Sequence, residues 1–419
     1  MLDHKTNKLL CKVDADTPMG QLMRRYWQPI SAVSELSRNP LKSMRLMGED
    51  LVLYKDLSGN YGLVDRHCPH RRADMKFGFR ETCGLRCSYH GWLFDNTGAC
   101  VSQPFEETDD LKGRFKEKIR IKAYPVEVKG GLVWAYLGPD PVPLVPNYEP
   151  FEWENGFIQI VFSEIPCNWF QCQENSIDPV HFEWMHSNWA AGQTGDTKSY
   201  APTHLKVDFE EIEHGIVYKR IRADTNEANP LWTVGRNCLW PNSLFTGNHF
   251  EWRVPIDDRN TLSVGWFYNP VPQDMRPFKQ DEIPSWRSPV TDAQTGEWIT
   301  SHVMNQDFAA WVGQGEMADR SKEHLGRSDR GVIMMRKRFL DDLERIKNGQ
   351  DPKAVYRDLA TQGRIDLPIF DREYLATGPT RAEVNDPNFK NARYFKKFIY
   401  QVGQPEAIWA DYCAAMGTT

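Results

Sequence analysis

The chain reads as an α+β protein in two parts, a small all-β unit followed by a larger mixed unit. Three observations carry this. Between Trp27 and Leu137, short runs of β-forming residues alternate with turn residues. The stretch Gly138-Pro139-Asp140-Pro141-Val142-Pro143, with Pro146 close behind, then stiffens the chain as a linker. Beyond it come further strand-like runs, and after those two apolar-periodic stretches that read as helices.

The elements follow in order. Residues 1–20 are polar, and a helix is expected at Met19–Tyr26 behind the Asp16-Thr17-Pro18 start signal. Strands are expected at Ser43–Met47, Glu49–Lys55, Tyr61–Val64, Leu93–Asn96, Val126–Lys129 and Leu132–Leu137, with turns at Ser58-Gly59-Asn60, Asn96-Thr97-Gly98 and Gly130-Gly131. Residues 104–118 are too polar for a core and read as an exposed loop. The boundary falls at the prolines, giving units at 18–140 and 147–348 and a C-terminal extension, 349–419, to which no chemistry is assigned. The second unit shows strands at His204–Phe209, Gly215–Ile221, Leu239–Leu244, His249–Pro255 and Thr261–Tyr268, a hairpin turn at Pro255–Asn260, and helices at about 296–318 and 328–348.

Composition excludes several classes of protein. Charged residues make up 26% of the 419 and apolar ones 40%, as in globular proteins. A net charge of −6 gives no reason to expect nucleic acid or an anionic membrane as partner. No apolar run reaches membrane-spanning length, and the first residues, MLDHKTNKLLCKV, lack a signal-peptide core. The nine cysteines lack framework spacing; two belong to the motif below, and the other seven point to reduced thiols in a cytoplasmic protein.

Two motifs carry chemistry. The first is Cys68-Pro69-His70 and Cys87-Ser88-Tyr89-His90, with sixteen residues between His70 and Cys87. Two thiolates and two imidazoles suit a [2Fe–2S] cluster of Rieske type, with sulfur on one iron and nitrogen on the other. The alternative is a Cys2His2 zinc site, which expects paired Cys and paired His separated by a helix. Here each half carries one of each and lies among loop formers, Pro69, Gly78, Gly84 and Gly91. Cys83 has no partner in the first loop and reads as a small buried residue.

The second motif is Asp178, His181 and His186, in the pattern D-x-x-H-x4-H. Asp178 and His181 share a helical face, but five residues put His186 about 140° away on an ideal helix. The two imidazoles meet one metal only where the helix ends or distorts near Met185. Two His and one carboxylate form the facial set that leaves positions open on Fe(II). Asp307, within His302–Trp311, is the expected carboxylate, with Glu316 and Glu183 as runners-up and His302 as a supporting or core residue.

Together these stretches resemble a known family. Cys68-Pro69-His70-Arg71-Arg72-Ala73, Cys87-Ser88-Tyr89-His90-Gly91-Trp92, Glu174–His186 and Asn305-Gln306-Asp307 are similar to the oxygenase α subunit of the Rieske non-haem iron oxygenases. The form of Glu174–His181, and the stretch Ala318–Ile333, resemble the phthalate-dioxygenase group, which includes O-demethylases of methoxylated aromatic acids. The resemblance implies an N-terminal all-β Rieske [2Fe–2S] domain and a C-terminal α+β helix-grip domain, an antiparallel sheet curled around a helix. It implies one mononuclear Fe(II), the use of O2, and a separate NADH-dependent flavin/iron–sulfur reductase. It further implies a head-to-tail homotrimer, or two stacked trimers, in which Asp178 joins His90 of a neighbour to His181.

The substrate implied is an aromatic acid, dihydroxylated or O-demethylated. Arg220, Arg222, Arg236 and Arg253, on or beside strands, are candidates to grip its carboxylate. Trp169, Phe170, Trp184, Trp189, Trp232, Trp240, Phe245, Phe250 and Trp266 are mostly core, with some free to stack a ring. The other readings are hydroxylation of a methyl group, N-demethylation of a neutral substrate, and a Rieske electron carrier that needs only the first unit.

Overall fold

The β-forming runs of the N-terminal part fold into small antiparallel sheets. One joins Leu41–Leu46, Glu49–Lys55, Tyr61–Asp65 and Ala123–Tyr124; a second joins Phe79–Glu81, Gly84–Arg86, Leu93–Phe94 and Cys100–Ser102. A third sets Leu132–Ala135 between Gln28–Ala32 and Val126–Lys129. The structure, a computed structural model, describes residues 2–109, 112, 114–386 and 402–418. The first two sheets enclose a core of Val52, Tyr54, Val64, Met75, Leu85 and Phe94, and both Cys-His loops rise from it.

The two loops share one construction. In the first, Cys68 N–H donates to Ala73 O and Arg72 N–H to Cys68 O; in the second, Cys87 N–H donates to Trp92 O and Gly91 N–H to Cys87 O. The fifth residue of each turn adopts a positive φ, 62° at Arg72 and 75° at Gly91. Glycine takes that conformation freely, whereas Arg72 holds it against a steric cost.

The larger part is built on an eight-stranded sheet. Its order is His204–Ile212, Gly215–Arg222, Arg236–Leu239, Ser243–Phe245, His249–Pro255, Thr261–Pro270, Gly156–Ile165 and Ser285–Arg287. All pairs are antiparallel except the last, which is parallel. The helix Trp169–Asn175 packs against the sheet, with Trp169 and Phe170 against Phe339 of the helix Arg330–Lys347.

Several expected elements differ. The run Leu239–Leu244 is two strands with a corner at Trp240-Pro241-Asn242. Pro241 has no N–H for the ladder, so the strand cannot pass through it. The expected helix at 296–318 is confined to Val303–Gly313. Gly296 at φ 73° and the bridge Thr291↔Trp298 keep the preceding stretch extended or turned, and Gly315 at φ 91° follows the end. The helix expected at Met19–Tyr26 begins behind Thr17, whose side chain accepts from Gly20 N–H, and spans Pro18–Met23; a helix not expected from the sequence, His4–Cys11, precedes it. Residues 104–118 hold short helical turns, Glu106–Asp109 and Lys116–Lys118; residues 110, 111 and 113 lie outside the described residues. Cys83 is exposed, not buried, because it occupies the turn between Phe79–Glu81 and Gly84–Arg86.

The extension beyond residue 348 is part of the fold. Ile365 bridges Tyr148, and Ile365, Leu367, Ile369 and Leu375 are buried in the main core. The helix Glu406–Met416 packs Ile408, Tyr412 and Met416 against Phe157 and Val271.

Candidate functional site

The first site lies at the tips of the twin loops. Cys68 and Cys87 are buried, and the hydrogen bond between their sulfurs lowers Cys87 to about 6 while raising Cys68. The His70 and His90 rings stand 4.4 Å apart, and His70 stacks on Trp92 at 4.3 Å with the planes 8° apart. His70 Nδ1 is buried and has no hydrogen-bond partner. A buried, unpaired imidazole nitrogen is costly unless it serves as a ligand. Two neighbouring buried sulfurs and two imidazoles edge to face are a donor set suited to a two-iron cluster.

The second site is built around a break in helical geometry. The helix Trp169–Asn175 ends before Asp178, and Phe182–Ser187 winds as a π turn. Bonding from i to i+5 widens the turn, so residues five apart share a face. His181 and His186 therefore converge, with ring centroids 5.4 Å apart. Asp307, from Val303–Gly313, completes the group: His181 Nε2 lies 3.6 Å from its Oδ1 and His186 Nε2 3.4 Å from its Oδ2. One ligand atom from each residue lies within 4.8 Å of the others.

Surrounding groups fix the orientation of all three. Gln306 Oε1 lies 2.9 Å from His186 Nδ1, while Gln306 Nε2 donates to Thr300 O at 3.1 Å. The amide oxygen can only accept, so Nδ1 carries the proton and Nε2 faces Asp307 with its lone pair. His186 Nε2 is buried without a hydrogen-bond partner, which fits a metal ligand. Asp178 Oδ2 stands 3.6 Å from His181 Nδ1, close enough for the carboxylate to attract that ring but beyond a hydrogen bond. Asn175 Nδ2 donates to Asp307 Oδ1 at 3.1 Å. The residue before it, Glu174, accepts from Arg320 at 2.6 Å and from Arg336 at 2.7 Å, and Arg336 also pairs with Glu323. The Ala318–Ile333 stretch thus ties the site's first helix to the long helix behind it.

A cavity of about 380 Å³ opens beside the three residues. Arg220, Arg222 and Arg236 line it with Phe182, Phe370, Thr246 and His249. Arg253 does not: it is wholly buried beneath the cavity, with its Nη2 2.6 Å from Glu251. Glu316 is exposed and pairs with Arg259 at 3.3 Å, away from the site. Glu183 is buried among His204 at 2.8 Å, Arg222 at 3.1 Å and Arg220 at 3.3 Å, so it anchors the π turn to the sheet. His302 caps the helix of Asp307 and meets Ser301.

None of the nine aromatic residues singled out from the sequence lines the cavity; Phe182 and Phe370 do. The Arg220 and Arg236 guanidinium groups lie 4.8 and 4.4 Å from the Phe182 ring centroid, and Arg236 also faces Phe370 at 6.0 Å. Phe182 follows His181, a candidate ligand, in the sequence, a usable signal. Phe370 carries no such signal.

Comparison with known proteins places the chain. Residues 26–125 match the Rieske [2Fe-2S] domain family, and residues 269–362 match the family described as LigXa C-terminal domain like. The chain belongs to the Rieske non-haem iron oxygenases and is an oxygenase subunit, the terminal component of a multicomponent system. Its cofactors are a Rieske [2Fe–2S] cluster and a mononuclear iron.

It is 59% identical to the 5,5'-dehydrodivanillate O-demethylase oxygenase subunit of Sphingobium sp. (strain NBRC 103272 / SYK-6), over 97% of this chain and 95% of that one. It is 31% identical to the phthalate 4,5-dioxygenase oxygenase subunit of Pseudomonas putida, over 90% of this chain and 95% of the relative. The terminal oxygenase of carbazole 1,9a-dioxygenase from Nocardioides aromaticivorans IC177 shares the fold, with a TM-score of 0.53 at 19% identity, over 76% of this chain and 97% of that one. Among the described residues, no helix is long and apolar enough to cross a membrane.

Proposed function

We propose that the chain O-demethylates a methoxylated aromatic carboxylic acid of the dehydrodivanillate class. The observation that carries this reading is the 59% identity, along nearly the whole chain, to an O-demethylase acting on that compound. The cavity supports it. Glu183 and Asp224 occupy Arg222, and Glu183 and Pro179 O occupy Arg220. Arg236 keeps Nε and Nη1 buried without a partner, so it is the guanidinium set to take a carboxylate. Burial, with the Arg236 charge beside it, pushes Arg220 down to about 10, a crowding of cations that an anion relieves.

In this reading Cys68, His70, Cys87 and His90 hold the cluster, and His181, His186 and Asp307 hold the iron. The iron, when bound, supplies dioxygen activation. The protein orients the imidazoles through Gln306 and Asp178, grips the carboxylate through Arg236, and sets the methoxy carbon toward the three ligands. Asp178, half-buried beside His181, also receives His90 of a neighbouring subunit in a head-to-tail trimer or pair of trimers. Electrons come from an NADH-dependent flavin/iron–sulfur reductase. The seven cysteines outside the cluster, all unbridged, support a reducing, cytoplasmic setting. The working division of the chain is 18–140 for the cluster, 147–348 for the iron and 349–419 as an extension that supplies Phe370 to the cavity.

The test is turnover of 5,5'-dehydrodivanillate with a reductase, NADH and O2. The expected products are the demethylated phenol and formaldehyde, one per NADH consumed. A ring diol without formaldehyde would replace this reading with dihydroxylation, the chemistry of the phthalate relative.

A further inference from the structure

One strand along the sheet from Arg236, the cavity wall carries a hydrogen-bonded chain that neither iron site uses. The register Asn237↔Phe245, carried one step further, faces Thr246 with Arg236, so both side chains leave the same side of the sheet. Thr246 Oγ1 lies 2.7 Å from His249 Nδ1, and His249 Nε2 lies 2.9 Å from Glu251 Oε1. Arg253, with no exposed surface, donates to Glu251 Oε2 at 2.6 Å and to its backbone oxygen at 2.9 Å. Thr246, His249 and Glu251 all line the cavity that holds His181, His186 and Asp307.

Donors and acceptors along this chain can be assigned. Burial opposes charge on Glu251, but Arg253 and His249 hold its carboxyl at about 2. A carboxylate only accepts, so His249 Nε2 carries the proton and Nδ1 takes the Thr246 hydroxyl proton. Thr246 lines the cavity, and a hydroxyl that donates to the ring keeps acceptor capacity for a ligand there. The connectivity is hydroxyl, imidazole, carboxylate, in which the acid fixes the tautomer and supports the imidazolium.

We infer that Thr246, backed by His249 and Glu251, recognises a phenolic hydroxyl of the substrate and draws off its proton. This rests on the O-demethylase reading, since each ring of dehydrodivanillate carries a hydroxyl beside its methoxy group and opposite its carboxylate. With the carboxylate on Arg236, a ring lying along this face brings its far hydroxyl to a second reader. The step moves protons only. The phenolic O–H breaks as Thr246 Oγ1 gains that proton, and Thr246 passes its own proton to His249 Nδ1. The phenolate remains in the cavity, and the imidazolium rests against Glu251. Thr246 touches the substrate; His249, Glu251 and Arg253 are positioning residues.

The experiment uses the iron- and cluster-loaded enzyme without oxygen, below the pH at which free 5,5'-dehydrodivanillate ionises. The readout is the ultraviolet difference band of bound phenolate. The wild type is expected to show the band, and T246V and H249Q to bind without it, with cluster absorption and iron content retained. In turnover, the wild type is expected to prefer the phenol over its methyl ether by about a hundredfold in kcat/KM, and T246V to lose that preference. A band that persists in T246V, or its absence from the wild type, overturns the inference. A wild-type band without formaldehyde on turnover removes the O-demethylase reading and leaves the relay standing. Failure of the wild type to bind the compound removes both.

Discussion

Gln306 Oε1 holds His186 Nδ1 at 2.9 Å, and the next residue, Asp307, faces the other nitrogen of the same ring at 3.4 Å. Adjacent residues of one helix thus set both the tautomer and the approach of the ring. Gln306→Leu removes the acceptor. Iron affinity is expected to fall about 10–100-fold, the range for loss of such a partner, while the visible absorption of the cluster stays. Iron titration of the variant checks this; retention of Gln306→Glu near wild type would show that the acceptor is what matters.

Asp178 is 3.6 Å from His181 Nδ1 and accepts from Val180 N–H at 2.7 Å. Asp178→Asn keeps the shape and removes the charge. Reduction of the cluster by the reductase is expected to proceed at its normal rate, and reoxidation of the cluster by O2 and substrate to slow at least tenfold. Stopped-flow absorbance separates the two steps. Equal rates in both would remove Asp178 from the electron route.

Arg236 keeps two buried nitrogens, Nε and Nη1, without a partner at the cavity wall. A charge-assisted hydrogen bond contributes about 1.5–3 kcal/mol, so Arg236→Gln is expected to raise KM for a carboxylate substrate about 10–100-fold. Arg253→Gln, which does not reach the cavity, is expected to lower stability and to leave KM for the carboxylate near wild type. Steady-state kinetics and thermal melting distinguish the two variants.

Glu174 is shared by Arg320 and Arg336, both of them buried. Glu174→Gln leaves two cations without their common carboxylate. The expected loss is about 3–5 kcal/mol, the cost of breaking a buried ion pair from one side. Urea unfolding followed by tryptophan fluorescence measures it.

Glu35 bonds Lys42 at 2.6 Å, Arg287 at 3.0 Å and Ser31 at 2.7 Å. Burial raises its pKa, but Lys42 and Arg287 outweigh burial and hold it at about 2, against an ordinary value of 4.5. Lys42 is itself held below its usual range, because burial costs the ammonium more than Glu35 returns. A depressed carboxyl pKa contributes stability above the unfolded value and loses it as pH falls through the folded one. The stability gap between wild type and Glu35→Gln is therefore expected to be full above about pH 5 and to close toward pH 2. Unfolding across that window checks the sign.

Much of this was legible in the residues. Alternation and turn signals located most of the longer strands, because a strand with one buried face writes its period into the chain, but they missed Gln28–Ala32, Gly156–Ile165 and several two- or three-residue strands. The Cys and His pairs stood out because soft and borderline ligands rarely cluster without a metal. What stayed hidden was conformational. The spacing of His181 and His186 is wrong for an ideal helix, and only the π turn at Phe182–Ser187 shows how they meet. The break at Pro241 is local chemistry that a window average smooths over. The place of Phe370 depends on how the chain returns to the sheet, which no short-range pattern encodes.

That last residue has a consequence for how such an enzyme changes its diet. Phe370 comes from a stretch that carries no iron ligand, yet its ring borders the chamber where chemistry happens. Exchange of this strip between relatives would reshape what fits inside while leaving the wiring of electrons untouched, so new compounds can be admitted without rebuilding the engine.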